Sequence, residues 1–146
     1  MNDLERAISI ALDAHEGETD KADKTYIRHP LRLMQQMDTE QERIVAVLHD
    51  VIEDSEYEPS EIGEMFGNEI RNAVEALTKP DEVDYLDEYI TDIASNSLAT
   101  KVKKADLRDN LDLTRLSELN NQMIDNIRKY HRSLEYLENE EATSQS

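Results

Sequence analysis

Apolar residues recur every three or four positions along most of the chain, and this spacing is typical of amphipathic helices. The first such segment runs from a cap at Asn2 or Asp3 to a stop at Gly17, with Leu4 and Ile8 on its apolar face. The same pattern predicts further helices that begin near Pro30 and that run from Thr39 to about Asp54, Ser60 to Thr78, Asp84 to Ala94, Leu98 to Leu113 and Leu119 to Leu137.

Helix-breaking residues are scarce, since the 146 residues include only three glycines and three prolines. The sequence therefore predicts an all-α fold, a single helical bundle over residues 1–138 with a polar, frayed tail over residues 139–146. A polar loop is expected from Gly17 to Thr25, and Gly67 is a candidate break within the Ser60 helix. We also expect Pro30 to bias the backbone of His29 toward an extended conformation.

The composition excludes several classes of function. With 34 acidic and 16 basic residues, the formal net charge is -18, and such a surface repels duplex nucleic acid and anionic lipid. Because cysteine is absent, disulfides, thiolate nucleophiles and cysteine-ligated metals are excluded, so any metal must be bound by His, Asp and Glu. No apolar run approaches the roughly 20 residues that span a bilayer, and the first residues lack a signal-peptide pattern, which indicates a cytoplasmic protein.

One segment, Leu48-His49-Asp50-Val51-Ile52-Glu53-Asp54, concentrates residues capable of chemistry. On a helical wheel, Glu53, Asp50 and Asp54 fall at about 40°, 100° and 140° from His49. This arc could bind a divalent cation through His49 and Asp50, while Glu53 and Asp54 hold or deprotonate a water. On the wheel alone, the solvated face of an amphipathic helix in an acidic chain is the simpler interpretation.

Two other positions extend this set. Tyr26-Ile27-Arg28-His29-Pro30 places an imidazole at a helix start, and Val102-Lys103-Lys104-Ala105-Asp106 places a carboxylate within an amphipathic stretch. Taken separately, His29 is more typical of a surface or capping residue, and Asp106 of the polar face of its helix.

The order His, His-Asp, Asp resembles the HD superfamily of metal-dependent phosphohydrolases, above all the hydrolase domain of RelA/SpoT enzymes and the small alarmone hydrolases. The segments that carry the resemblance cover about residues 7–116 and are Ala14-His15-Glu16-Gly17, Tyr26-Ile27-Arg28-His29-Pro30-Leu31, Leu48 to Asp54, Phe66-Gly67, Leu77-Thr78-Lys79 and Val102 to Asp106, with Asn110 just after. The resemblance implies an all-helical HD-type domain with one divalent metal, usually manganese. It also implies hydrolytic removal of the 3′-pyrophosphate from ppGpp or pppGpp, the alarmones of the stringent response.

The resemblance further implies a role for each matching residue. The metal ligands would be His29, His49, Asp50 and Asp106. The pair that activates the attacking water would be Glu53 and Asp54. The substrate contacts would be Lys21, Lys103 and Asn110.

The chain departs from the family pattern where the base is recognised. Family members commonly carry an arginine that stacks on guanine, and this chain has Asp20 at that position, which cannot stack as a cation. The reaction type is therefore better supported than guanine specificity, and another purine alarmone is an alternative. Two further alternatives stay open, an HD nucleotidase that releases phosphate from another nucleotide and a nucleotide-binding module without turnover.

The two remaining histidines are interpreted as ordinary residues. His15 lies on the apolar side of the first helix and is expected to be a hydrogen-bonded packing residue, whereas His131 is expected at the surface. No histidine lies between Asp50 and Asp106, which argues against a two-metal version of the HD site. The oligomeric state and the native metal are not determined by the sequence.

Overall fold

A computed structural model describes the backbone of residues 1–145 and the side chains of residues 1–141. The chain is an all-α helical bundle, which confirms the predicted fold class. The helices are α1 (Asp3–Ala14), α2 (Arg28–Gln35), α3 (Glu40–Leu48), α4 (Val51–Asp54), α5 (Pro59–Phe66), α6 (Asn68–Ala76), α7 (Thr91–Ala94), α8 (Ser97–Asn110) and α9 (Asn121–Gln145). A π-helical turn, Tyr85–Ile90, leads directly into α7, and a 3₁₀ turn, Leu113–Arg115, follows α8.

Reciprocal side-chain caps determine where α1 and α3 begin. The Asn2 side chain accepts a hydrogen bond from the Glu5 backbone N–H at 2.8 Å, and the Glu5 carboxylate accepts one from the Asn2 N–H at 3.0 Å. Thr39 and Glu42 repeat this arrangement at the start of α3, with both distances at 3.1 Å. Each cap satisfies N–H groups that the helix itself leaves without a partner.

Helix α3 lies at the centre of the core and packs against α1, α2, α6 and α8. Its last four residues, Val45 to Leu48, are fully buried, as expected for a helix surrounded by others. His49 follows directly and is itself only 3% exposed. The core therefore determines the position of His49, the histidine of the segment from Leu48 to Asp54.

Two backbone predictions around the histidines are wrong. Helix α2 begins at Arg28, so His29 is helical rather than extended, because Pro30 falls in the first turn, where a missing N–H costs no hydrogen bond. A single helix from Thr39 to Asp54 is also not formed, since α3 ends at Leu48 and α4 begins at Val51. The constant 100° advance of the helical wheel therefore does not hold across Asp50.

The helix predicted from Ser60 to Thr78 is interrupted, as Gly67 allows. Helix α5 begins at Pro59 rather than after Ser60, and Glu61 accepts a hydrogen bond from the Glu58 backbone N–H at 3.1 Å. Gly67 separates α5 from α6 with a φ of +94°, a conformation that glycine adopts readily and other residues rarely do.

The last helix is longer than its apolar pattern predicts. It begins at Asn121, where the Asn120 side chain accepts a hydrogen bond from the Met123 backbone N–H at 2.9 Å. The polar segment from Asn139 was predicted to fray, yet its backbone stays helical through Gln145, while Ser146 lies outside the described residues. A domain boundary between residues 138 and 139 remains a prediction. Among residues 1–145, no helix has both the length and the apolar character that crossing a bilayer demands.

Candidate active site

Three buried side chains from three parts of the chain converge on one point. His29 lies in the first turn of α2, His49 directly after α3, and Asp106 on α8. The Asp106 Oδ1 atom is 2.9 Å from His29 Nε2 and 3.7 Å from His49 Nε2. The structure thus brings together three of the four predicted ligands, with their ligand atoms all within 4.8 Å of one another.

Asp50, the fourth predicted ligand, borders this group through His49. Its Oδ2 atom is 3.1 Å from His49 Nε2 and also accepts a hydrogen bond from the Tyr26 hydroxyl. The break between α3 and α4 permits this proximity, because two consecutive residues on a regular helix diverge by about 100°.

Each imidazole is oriented through its second ring nitrogen. His29 Nδ1 lies 2.6 Å from Asp109 Oδ2, and His49 Nδ1 lies 2.7 Å from the Ala46 carbonyl oxygen, to which it donates. The Asp109 carboxylate in turn accepts two hydrogen bonds from the Arg32 guanidinium, both at 2.9 Å. These contacts direct both Nε2 atoms toward Asp106, the arrangement in which a carboxylate or carbonyl orients a metal-ligating histidine.

Asp109 was not among the site residues predicted from the sequence. It stands three residues after Asp106 on α8, so that both carboxylates project from the same face of the helix. This spacing is the signal that could have identified it.

Buried charges of opposite sign perturb the titration of the whole group. Burial alone would lower the pKa of His29, but hydrogen bonds to Asp106 and Asp109 outweigh it and raise that pKa to about 9. Burial would raise the pKa of Asp106, yet the Lys103 ammonium and the two imidazoles hold it well below its usual range. The neighbouring His49 similarly lowers the pKa of Asp50 to about 2 against the effect of burial.

Lys103 is a buried lysine, only 7% exposed, beside the same carboxylate. Its Nζ atom is 3.0 Å from Asp106 Oδ2 and lies 5.4 Å and 5.1 Å from the ring centroids of Tyr85 and Tyr89. Burial would lower the pKa of Lys103, but the charge of Asp106 raises it well above the ordinary value. Lys103 is therefore a protonated cation that is ion-paired with Asp106.

A cavity of about 450 Å³ opens beside the converging side chains, a volume within the range of small-molecule sites. The predicted site residues that line it are His29, Asp50, Glu53, Asp106, Lys21, Lys103 and Asn110. Lys21 donates to the Tyr130 hydroxyl at 3.2 Å, and Asn110 donates to Asp106 Oδ1 at 3.1 Å.

The two predicted water-activating acids lie in different places. Glu53 lines the cavity and accepts a hydrogen bond from the Lys79 backbone N–H at 2.6 Å, whereas Asp54 lies on a neighbouring surface depression beside Tyr57. Partial burial raises the pKa of both carboxyls, that of Asp54 to about 6 with a further contribution from the charge of Asp50. The wheel predicted a shared arc for these acids, and the structure separates them.

The donor set fits a divalent transition-metal ion. The buried His49 Nε2 atom has no hydrogen-bond partner among the side chains of residues 1–141, although it faces two carboxylates. Two imidazole nitrogens with carboxylate oxygens suit manganese, iron, cobalt or zinc better than calcium or magnesium, which favour all-oxygen sites.

Comparisons with known proteins agree with this site. The sequence model of the family described as HD domain matches residues 7–130, and the chain belongs to this family. Family and geometry together indicate dependence on a divalent metal.

Curated relatives are similar over part of their length. The chain is 34% identical over 88 residues to the bifunctional (p)ppGpp synthase/hydrolase SpoT of Escherichia coli (strain K12). The aligned region covers 58% of this chain and 12% of that protein. The chain is 31% identical over 118 residues to the guanosine-3′,5′-bis(diphosphate) 3′-pyrophosphohydrolase of Aquifex aeolicus, which covers 75% of this chain and 17% of that protein. The chain thus spans less than a fifth of the length of these relatives.

A solved structure shares the fold. It is that of a metazoan ortholog of SpoT, described as hydrolysing ppGpp and acting in starvation responses. The TM-score is 0.75 at 21% sequence identity, with 92% of this chain and 84% of the other covered. This match confirms that the helical bundle is of the HD type.

Proposed function

We propose that this chain is a metal-dependent pyrophosphohydrolase that removes the 3′-pyrophosphate from ppGpp, pppGpp or a related purine alarmone. The observation that carries the proposal is the convergence of His29, His49 and Asp106 beside a cavity that is also lined by the Glu53 carboxylate and the buried Lys103 ammonium. The similarity to named ppGpp hydrolases supports the choice of substrate class. The reaction fits a cytoplasmic protein with a nucleotide as its partner.

The metal ligands in this proposal are His29, His49, Asp50 and Asp106, and manganese is the preferred ion. When bound there, the cation supplies Lewis-acid charge and lowers the pKa of water. Asp109 orients His29, and the Ala46 carbonyl orients His49, so that both Nε2 atoms keep their lone pairs toward the ion.

Glu53 is the group that receives the proton of the attacking water. Its carboxylate lines the cavity, and the Lys79 N–H fixes one oxygen at 2.6 Å. The raised pKa of Glu53 makes it a better proton acceptor than an exposed carboxylate. Asp54, whose pKa is also raised, is the second acid of the pair. It lies at the neighbouring surface depression, where it can pass a proton to solvent.

Positive charge in the cavity serves the polyanionic substrate. Lys103 is buried, so its charge acts on a phosphoryl oxygen with little screening, and Lys21 reaches the cavity from the loop after α1. Asn110 adds an amide beside Asp106 for the sugar or phosphate. Together these groups let a nucleotide approach a protein of net charge -18.

Asp20 does not specify which nucleobase the substrate carries. Its carboxylate accepts hydrogen bonds from the backbone N–H groups of Ala22 and Lys24, at 2.8 Å and 3.0 Å, and so holds the turn of the loop. A residue committed to the turn in this way does not supply the cationic stacking contact for guanine.

The test is product analysis with purified protein. We expect ppGpp and pppGpp to yield pyrophosphate in the presence of manganese, less product with magnesium, and none with a chelator. Product formation from adenosine analogues and simple nucleotides, measured in parallel, shows which nucleobase the enzyme accepts. Glu53→Gln should lower kcat by at least about 100-fold because it removes a general base, whereas the exposed Glu56→Gln serves as the matched control.

Two outcomes would favour the alternatives. Orthophosphate released from simple nucleotides, with no pyrophosphate from alarmones, would identify a nucleotidase. Binding of alarmones without turnover under any divalent metal would identify a binding module.

A further inference from the structure

A second histidine, His15, lies at the edge of the cavity, whose lining includes the neighbouring Glu18 but neither His15 nor Asp54. The His15 side chain is only 1% exposed, and neither ring nitrogen has a hydrogen-bond partner among the side chains of residues 1–141. This corrects the expectation of a hydrogen-bonded packing residue. A buried polar group without a hydrogen-bond partner destabilises a fold, which makes the position of His15 notable.

The Glu18 and Asp54 carboxylates lie at nearly the same distance from His15 Nδ1. Glu18 Oε2 is 3.4 Å and Asp54 Oδ2 is 3.5 Å from His15 Nδ1. Charge-assisted hydrogen bonds are shorter, about 2.7–2.9 Å. Two ligands of a tetrahedral ion with bonds of about 2.0–2.1 Å are separated by about 3.3–3.4 Å, which is close to the distances observed here.

We propose that His15, Glu18 and Asp54 form a second metal site, which takes a zinc-class divalent ion with three protein ligands and an open fourth position. The imidazole is neutral and its lone pair available, since burial lowers the pKa of His15. Two carboxylates balance the charge of a divalent ion. One imidazole with two carboxylates and a small ligand-to-ligand spacing favours zinc over calcium, which requires six to eight oxygens.

Local structure brings the three residues together and leaves the site accessible. His15 ends α1, Gly17 turns the chain with a φ of +82°, and the Glu18 backbone N–H returns to the His15 carbonyl at 3.0 Å. Asp54 is the last residue of α4, which packs against α1. The Glu18 and Asp54 side chains are 34% and 35% exposed, which gives an ion a path from solvent.

This second site is separate from the His29–His49–Asp106 group. The Tyr26 ring lies between them, with its centroid 4.6 Å from that of His15 and 5.7 Å from that of His29. An ion at the second site would nevertheless engage Asp54. Zinc bound there would therefore inhibit hydrolysis by removing one member of the water-activating pair, a consequence that rests on the proposed function, whereas binding itself does not.

The test counts bound zinc by equilibrium dialysis of the whole chain, at physiological salt to screen the acidic surface. We expect two equivalents for the wild type and one for both His15→Phe and Glu18→Gln. The second variant guards against a folding defect in the first. His131→Gln, which removes an exposed imidazole, is the matched control and should retain two.

Cobalt provides an independent readout, since four-coordinate cobalt absorbs visible light far more strongly than six-coordinate cobalt. The strong band should be present in the wild type and absent in His15→Phe. Loss of one zinc equivalent in both variants relative to the wild type supports the proposal, and equal zinc content in wild type and both variants would overturn it. These results do not depend on alarmone hydrolysis, so the proposed function can fail while the second site stands, or the reverse.

Inhibition is measured separately on manganese-loaded protein. The zinc concentration that halves hydrolysis should rise roughly tenfold in Glu18→Gln, the scale expected when a metal site is weakened. Equal inhibition of wild type and variant would remove the regulatory consequence.

Discussion

At the scale of single residues, Asp109 links the candidate metal site to the protein around it. It contacts His29 at 2.6 Å and is held by the Arg32 guanidinium, so one carboxylate connects α8 to the first turn of α2. It is 7% exposed and therefore cannot exchange these partners for water. This contact orients the His29 ring.

We expect Asp109→Asn to weaken metal binding by about 10–100-fold, the usual effect of altering a group that orients a ligating histidine. The substitution preserves volume but removes the charge that both His29 and Arg32 engage. The measurement is manganese affinity by competition with a chelating dye, with circular dichroism to verify the helices. Asp112→Asn, which alters an exposed carboxylate near Arg115, is the control. Equal affinities for the two variants would show that Asp109 has no role in orientation.

At the scale of elements, interruptions of helices position the active groups. The break at His49 and Asp50 places two consecutive side chains beside each other, which a continuous helix would separate. Gly67 makes a second break and redirects the chain into α6. Lys79, which follows α6, donates a hydrogen bond from its backbone N–H to Glu53. Helix ends therefore position His49 and Asp50, whereas α8 contributes Asp106 and Asp109 from one face.

Gly67→Ala should destabilise the protein by about 1–3 kcal/mol, because its φ of +94° and ψ of 169° lie in a region that is essentially restricted to glycine. Gly63→Ala is the matched contrast. It lies inside α5, where alanine is favoured by about 0.5–1 kcal/mol. The atoms nearest to its added Cβ all belong to the flexible Arg71 side chain, with Cδ at 2.9 Å.

The measurement is the free energy of unfolding in urea for both variants. We expect Gly63→Ala to be at least as stable as the wild type. If Gly67→Ala were equally stable, the backbone at residue 67 would not have the conformation described.

At the scale of the whole molecule, a strongly acidic protein brings several basic side chains together at one cavity. The net charge of -18 destabilises the folded state by self-repulsion, and the cavity lining mixes basic residues, among them Lys21 and Lys103, with seven carboxylates. The global charge thus disfavours most polyanions, and the basic side chains at the cavity oppose that effect locally.

Because this repulsion is screened by salt, the thermal midpoint should rise by a few degrees as potassium chloride is increased. The Debye length falls from about 30 Å at 0.01 M to about 8 Å at 0.15 M ionic strength, so most gain should come in this range. Differential scanning calorimetry with chelator present excludes metal binding as the cause. Choline chloride should act alike, and a flat or falling midpoint in both salts would contradict the argument.

Most of the fold followed from local patterns. Helical spacing, caps such as Thr39 and the scarcity of glycine and proline act over a few residues, so they are legible in the sequence and the all-α class was confirmed. The break between α3 and α4 was harder to predict, because helix continuity past Leu48 depends on packing against other helices. His29 proved helical despite the following proline, because Pro30 falls in the first turn of α2.

Composition and local pattern establish which chemical groups the chain offers: four histidines, abundant carboxylates and no thiol, in an order similar to that of the HD family. Which of these groups meet depends on how the helices pack. This packing joined Asp109 to His29, separated Glu53 from Asp54 and left His15 buried beside two acids. The physical reason is range, since propensity and periodicity act within a turn or two, whereas a site is made by side chains that approach only when separate helices pack.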